Sequence, residues 1–123
     1  GLFHQNDVAR LKEFGDTIRK TFATNLLGPS IPDRTEVILD APIRFDTLVA
    51  QEDITQGQVV ERFHFEVKLP GQFGWQRVAG ATTIGHKRIL RLKEPIEATA
   101  VRLVIDETRA RPHILSIGAY LAP

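Results

Sequence analysis

With 123 residues, 42% of them hydrophobic and 25% charged, the chain has the size and balance of one globular domain with a core of its own, and two independent domains do not fit. Sixteen Lys and Arg against fifteen Asp and Glu leave a formal net charge of +1, too little for the phosphate attraction on which nucleic-acid binding rests. Cysteine is absent, which removes disulfides, thiolate nucleophiles and zinc–thiolate centres and leaves the compartment unread from thiols.

No apolar run approaches the ~20 residues of a membrane span, and the first residues lack the apolar stretch of a signal peptide. The chain starts with Gly1 and has no Met, so a fragment or processed product is expected.

From Asn6 to about Leu27 the apolar residues Val8, Leu11, Phe14, Ile18 and Phe22 recur at spacings of three, three, four and four, which predicts a one-sided helix. Asn6 or Asp7 serves as its N-cap, and Gly28-Pro29 stops it. The run Gly28-Pro29-Ser30-Ile31-Pro32 holds two prolines that donate no hydrogen bond, so residues 28–34 read as a linker.

Beyond it the period changes to two. In Arg62 to Leu69, Phe63, Phe65, Val67 and Leu69 share one face while Arg62, His64, Glu66 and Lys68 share the other, the pattern of a half-buried antiparallel strand. Less pure segments at Glu36–Leu39, Phe45–Gln51, Trp75–Ala79, Lys87–Leu92, Thr99–Ile105 and Ile114–Leu121 are separated by turn-rich pieces such as Pro70-Gly71-Gln72-Phe73-Gly74. About seven strands without alternating helices predict a β-sandwich or barrel over residues 35–123.

Catalytic signals are missing. The histidines His4, His64, His86 and His113 are far apart, with no helical pair to hold a metal, and neither a metal nor another cofactor is expected. Ser30 and Ser116 are the only serines, and neither stands in a nucleophile motif. Glu52-Asp53 are adjacent at a strand end and read as turn caps rather than as the carboxylate pair that glycoside hydrolysis places across a cleft.

Residues suited to binding a sugar are Trp75, the sole tryptophan, as a stacking platform or a packed side chain; His86 and Arg88 in the run His86-Lys87-Arg88-Ile89-Leu90-Arg91-Leu92-Lys93; and Arg109, Arg111 and His113 in the proline-stiffened loop Arg109–His113. The bland reading of these groups is a solvated strand face and an ordinary polar loop.

The stretches Phe45-Asp46-Thr47-Leu48-Val49-Ala50-Gln51-Glu52-Asp53-Ile54, Gly57-Gln58-Val59-Val60 and Gly80-Ala81-Thr82-Thr83-Ile84-Gly85-His86-Lys87-Arg88-Ile89 resemble the C-terminal domain of family 29 α-L-fucosidases. Gly1-Leu2-Phe3 and Asp7 to Gly15 resemble the last helix of the catalytic (β/α) barrel that precedes it.

The resemblance implies a mainly β, antiparallel jelly-roll or discoidin-like (F5/8 type C) β-sandwich with one N-terminal amphipathic α-helix: residues 1–27 the barrel helix, 28–34 the linker, 35–123 the sandwich. Only Gly28 to Arg44 separates the helix from the stretch that starts at Phe45, shorter than in the family, so the sandwich is either abbreviated or incomplete. The family's catalytic residues lie in its barrel, and none carries over.

The expected role is a non-catalytic accessory domain of a glycoside hydrolase that packs on the catalytic barrel. Fucosylated or galactose-containing glycans are candidate ligands, and a secreted or periplasmic parent follows from the resemblance alone. The alternatives are an autonomous carbohydrate-binding module and a protein-interaction or oligomerisation sandwich.

Overall fold

The computed structural model describes residues 25–29, 31–55 and 57–122. The predicted helix lies outside the described residues up to position 24, as does His4. Asn25 to Leu27 form a turn, closed by hydrogen bonds from the Gly28 amide to the Asn25 carbonyl (3.1 Å) and from the Leu27 amide to Asn25 Oδ1 (3.0 Å).

The rest is mainly antiparallel β-structure. Five strands, β1 (Glu36–Glu52), β2 (Val60–Lys68), β3 (Gln76–Ala81), β4 (Arg88–Thr108) and β5 (Ile114–Tyr120), form a sheet in the order β3-β2-β4-β1-β5. Where the sequence predicts about seven strands, the described residues form five, because two pairs of segments fuse. Glu36–Leu39 and Phe45–Gln51 are the ends of β1, and Lys87–Leu92 and Thr99–Ile105 lie along β4.

Pro42 and Pro95, which lie between the fused segments, sit at irregularities in the ladder. The β1–β4 register shifts between Ile38 and Ile43 and again between Phe45 and Thr47. Proline, lacking a donor, is tolerated in a strand where pairing is interrupted.

These shifts divide the sheet into two halves. In one, the start of β1 pairs with the end of β4 (Glu36↔Arg102), which pairs with β2, which pairs with β3. In the other, the start of β4 pairs with the end of β1 (Leu48↔Leu90), which pairs with β5. One core cluster takes Phe63, Phe65, Val67, Val101 and Leu103 from the first half and Leu48, Ala50, Ile117 and Ala119 from the second. This arrangement is consistent with a β-sandwich made from one continuous, folded sheet.

The alternation read in β2 holds. Phe63, Phe65 and Val67 are fully buried, and the rings of Phe63 and Phe65 meet edge to face with centroids 6.1 Å apart. In the charged run that opens β4, Leu90 and Leu92 pack against the core while Arg91 and Lys93 are exposed.

The segment read as a linker is tied to the sheet. The Asp33 amide donates to the Ile114 carbonyl (2.6 Å), Asp33 Oδ1 accepts from the Ile114 amide (3.1 Å), and the Leu103 amide donates to the Thr35 carbonyl (2.7 Å).

Candidate functional site: a loop cluster at one end of the sheet

Glu52 ends β1 and is completely buried. Its Oε2 accepts from the amides of Val59 (2.9 Å) and Val60 (3.1 Å), and its Oε1 from the amide of Gly85 (3.3 Å). A buried carboxylate needs such donors, because desolvation penalises it otherwise. One side chain thereby fastens the β1–β2 loop to the β3–β4 loop, and the Glu52 amide adds a bond to the Gly85 carbonyl (3.1 Å). Gly85, at φ +67°, has the left-handed backbone this turn requires.

The β4–β5 loop joins the same cluster. The amide of Asp53 donates to the His113 carbonyl (2.8 Å) and that of Arg109 to the Val59 carbonyl (2.9 Å). Thr108 Oγ1 bonds the carbonyls of Val59 (3.1 Å) and Ala110 (2.6 Å). Between the β1–β2 and β4–β5 loops lies a cleft of about 210 Å³ lined by Asp53, Gly57, Val59, Ala110, Arg111 and His113.

Asp53 accepts hydrogen bonds from the Thr55 amide (3.0 Å) and hydroxyl (2.8 Å). These bonds, the amide's first, hold its carboxyl below the usual 3.8, with a smaller contribution from His113. The cleft therefore presents an ionised acceptor beside a guanidinium and an imidazole. Such a set can hydrogen-bond sugar hydroxyls or an anion. Among the described residues that line the cleft, Asp53 is the only carboxylate.

The structure brings together part of the predicted set. Arg111 and His113 share the cleft. Arg109 turns away: its guanidinium donates to the Gln58 carbonyl and its Nε lies 3.6 Å from Glu61. His86 is exposed in the neighbouring β3–β4 loop, and Arg88 opens β4 opposite Ala50.

Trp75 is elsewhere. Half-buried just before β3, it lies beneath Arg102 (4.2 Å from guanidinium carbon to ring centroid) and Lys68 (4.9 Å). Lys68 and Val60 mark opposite ends of β2, roughly 25 Å apart at strand rise. No single shallow ligand contacts both Trp75 and the cleft.

Sequence reasoning read Glu52-Asp53 as turn caps. Asp53 is one, whereas Glu52 is the buried hub of the loop cluster. The alternation Leu48, Ala50, Glu52 on the core-facing side of β1 was the available signal.

A second, larger groove of about 540 Å³ runs between β3 and the start of β4, lined by Val78, Ala79, Leu92 and Ile96 with Arg91, Lys93 and Glu94 at its rim. Among the described residues no group of three His, Asp or Glu side chains is arranged to hold a metal, and no helix is long and apolar enough to cross a membrane.

Fold and cleft together define a mainly antiparallel β-domain with a polar cleft between its loops. The chain is similar to α-L-fucosidases. It is 37% identical over 79 residues to α-L-fucosidase 1 of Arabidopsis thaliana, which covers 64% of this chain and 16% of that protein. Among solved structures, an α-L-fucosidase assigned from Bacteroides ovatus superposes with a TM-score of 0.84 at 35% identity over 97% of this chain and 21% of its own. A glycoside hydrolase family 29 member from a rumen bacterium gives a TM-score of 0.85 at 32% identity over 98% of this chain and 23% of its own. The chain therefore corresponds to a small part of these enzymes. No family model matches it. A chitosan-binding module of Paenibacillus, at 13% identity and a TM-score of 0.57, shares the fold alone.

Proposed function

We propose that this chain is the C-terminal accessory domain of a family 29 α-L-fucosidase, a discoidin-like β-sandwich that packs on the catalytic barrel and contributes no catalytic residue. The observation that carries this reading is the pairing of near-complete coverage of this chain with coverage of only 21% and 23% of the solved relatives.

The test is a chimera in which this chain replaces the matching region of the Bacteroides ovatus protein. The expected result is a folded enzyme whose fucosidase activity is retained, while this chain alone hydrolyses no aryl fucoside. A soluble, folded chimera without activity, or activity in the isolated chain, overturns the assignment.

A second reading, sugar binding by the domain itself, is favoured by Arg111, His113 and Asp53 lining one cleft. A protein-observed NMR titration with L-fucose, galactose and a fucosylated oligosaccharide tests it. Binding shifts the amides of residues 53–59 and 109–113 and leaves Trp75 unmoved; unshifted loop amides at high sugar concentration eliminate this site.

A further inference from the structure

Because β2 turns Phe63, Phe65 and Val67 to the core, His64 and Glu66 fall on the opposite face of the sheet. His64 is nonetheless only 7% exposed. Its Nδ1 lies 2.8 Å from Oδ2 of Asp106 on β4, and its Nε2 lies 2.8 Å from Oε2 of Glu66 on its own strand.

Ionised carboxylates only accept hydrogen bonds, and a neutral imidazole carries a single N–H. Both contacts are hydrogen bonds only when both ring nitrogens are protonated. Once the ring is neutral, one of its lone pairs faces a carboxylate lone pair at the same short distance.

The surrounding charges belong to the same network. On β4, Arg102 donates through Nε (2.8 Å) and through Nη2 to Oε1 of Glu66, reaches Glu36 of β1 at 4.0 Å, and covers Trp75. On β3, Gly80 stands opposite His64, and a Cβ there would meet Nη2 of Arg77 at 2.7 Å, so the Arg77 side chain lies over this glycine beside the imidazole. Lys68 of β2 shares the Trp75 ring with Arg102. Arg62 of β2 is paired with Glu107 of β4 at 2.8 Å.

We propose that Asp106–His64–Glu66 is a pH-operated clasp between β2 and β4, closed while the imidazole is cationic and open at one of its two contacts when it is neutral. Glu66 links the clasp to Arg102 and hence to Trp75, so opening is felt on the whole outer face of this half of the sheet.

Desolvation of the ring lowers its proton affinity, but the hydrogen bonds to Asp106 and Glu66 together with the negative charges of those two carboxylates outweigh it and raise the pKa above 6.5. With the folded value above the unfolded one, the clasp's contribution to stability is complete below pH 6.5 and is lost as pH rises through the folded pKa. At the acid side, hydrogen bonds from His64 and Arg102 hold Glu66 below 4.5. The clasp is thus closed from mildly acidic to near-neutral pH.

The test is an NMR titration of the His64 ring nitrogens in this chain from about pH 5 to about pH 9, with Trp75 emission and urea denaturation followed over the same range. The proposal expects both nitrogens protonated at the acid end, a midpoint above 6.5, a Trp75 emission change with that midpoint, and a falling urea midpoint beyond it. Glu66→Gln and Asp106→Asn each move the His64 midpoint down. A ring nitrogen unprotonated at the acid end, a midpoint at or below 6.5, or Trp75 emission flat through the His64 titration overturns it. The ring titration is read on the unaltered chain, so it decides the matter even where a variant fails to fold.

Discussion

Three backbone amides, from the β1–β2 loop, the start of β2 and the β3–β4 loop, converge on the carboxylate of Glu52, which is fully buried. Glu52→Ala leaves the buried Val60 amide and the part-buried Val59 and Gly85 amides without this acceptor, and an orphaned buried group costs about 1–3 kcal/mol. The expected loss is roughly 3 kcal/mol or more in urea denaturation, with accelerated exchange of the Val59, Val60 and Gly85 amides. Asp53→Ala, one residue on, removes only a surface turn bond and is expected to leave the denaturation midpoint nearly unchanged. Gly118 is a second position where one atom decides the outcome. A Cβ there meets the Tyr120 ring at 2.8 Å and Asn25 Nδ2 at 3.2 Å, and Asn25 is the side chain that secures the Ile117 carbonyl and the Ala119 amide. Gly118→Ala is expected to destabilise by about 1–3 kcal/mol as crowding does elsewhere. Adding Tyr120→Ala recovers part of the loss, and a strictly additive double mutant would count against this contact.

At the scale of the strand, β2 carries the simplest sequence message and the structure follows it residue by residue. Phe65→Ala removes a fully buried ring and is expected to cost about 3–5 kcal/mol, whereas truncating Arg62 on the other face, an exposed partner of Glu107, costs well under 1 kcal/mol. The pattern of β2 left one thing unread. It assigned His64 to the polar face, but did not give its burial or its contacts with Asp106, forty-two residues away, and with Glu66. Periodicity gives the face of a residue and not what the neighbouring strand places over it. In β1 and β4 the sequence pattern split each long strand into two segments, whereas the strands run on through Pro42 and Pro95, where register shifts already break the ladder. Acid sensitivity also belongs at this scale. Glu66, held below 4.5 by His64 and Arg102 across the β2–β4 pair, contributes stability that is present above 4.5 and lost as pH falls through its folded value. The urea midpoint is expected to drop on acidification, and Glu66→Gln is expected to flatten that limb.

For the whole molecule, β1 and β4 pass through both halves of the sheet, and one core cluster spans them. Because the two halves share these strands and this core, unfolding is expected as one transition. Trp75 emission, reporting the β2–β4 half, and amide exchange in β5, reporting the other, should give the same free energy; separate transitions would show the halves to be independent. The sequence by itself determined the class of architecture, the faces of β2, the loop placement of Arg109, Arg111 and His113, and the likeness to family 29 α-L-fucosidases, because alternation, turn chemistry and local motifs are all short-range in the chain. Only the tertiary structure decided which candidates meet. It put Arg111 and His113 with Asp53 in one cleft, turned Arg109 onto Gln58, set Trp75 at the far end of β2, and made Glu52 and His64 buried hubs. Those outcomes depend on strand register and on hydrogen bonds between loops distant in sequence, and spacing along a single chain carries no record of either.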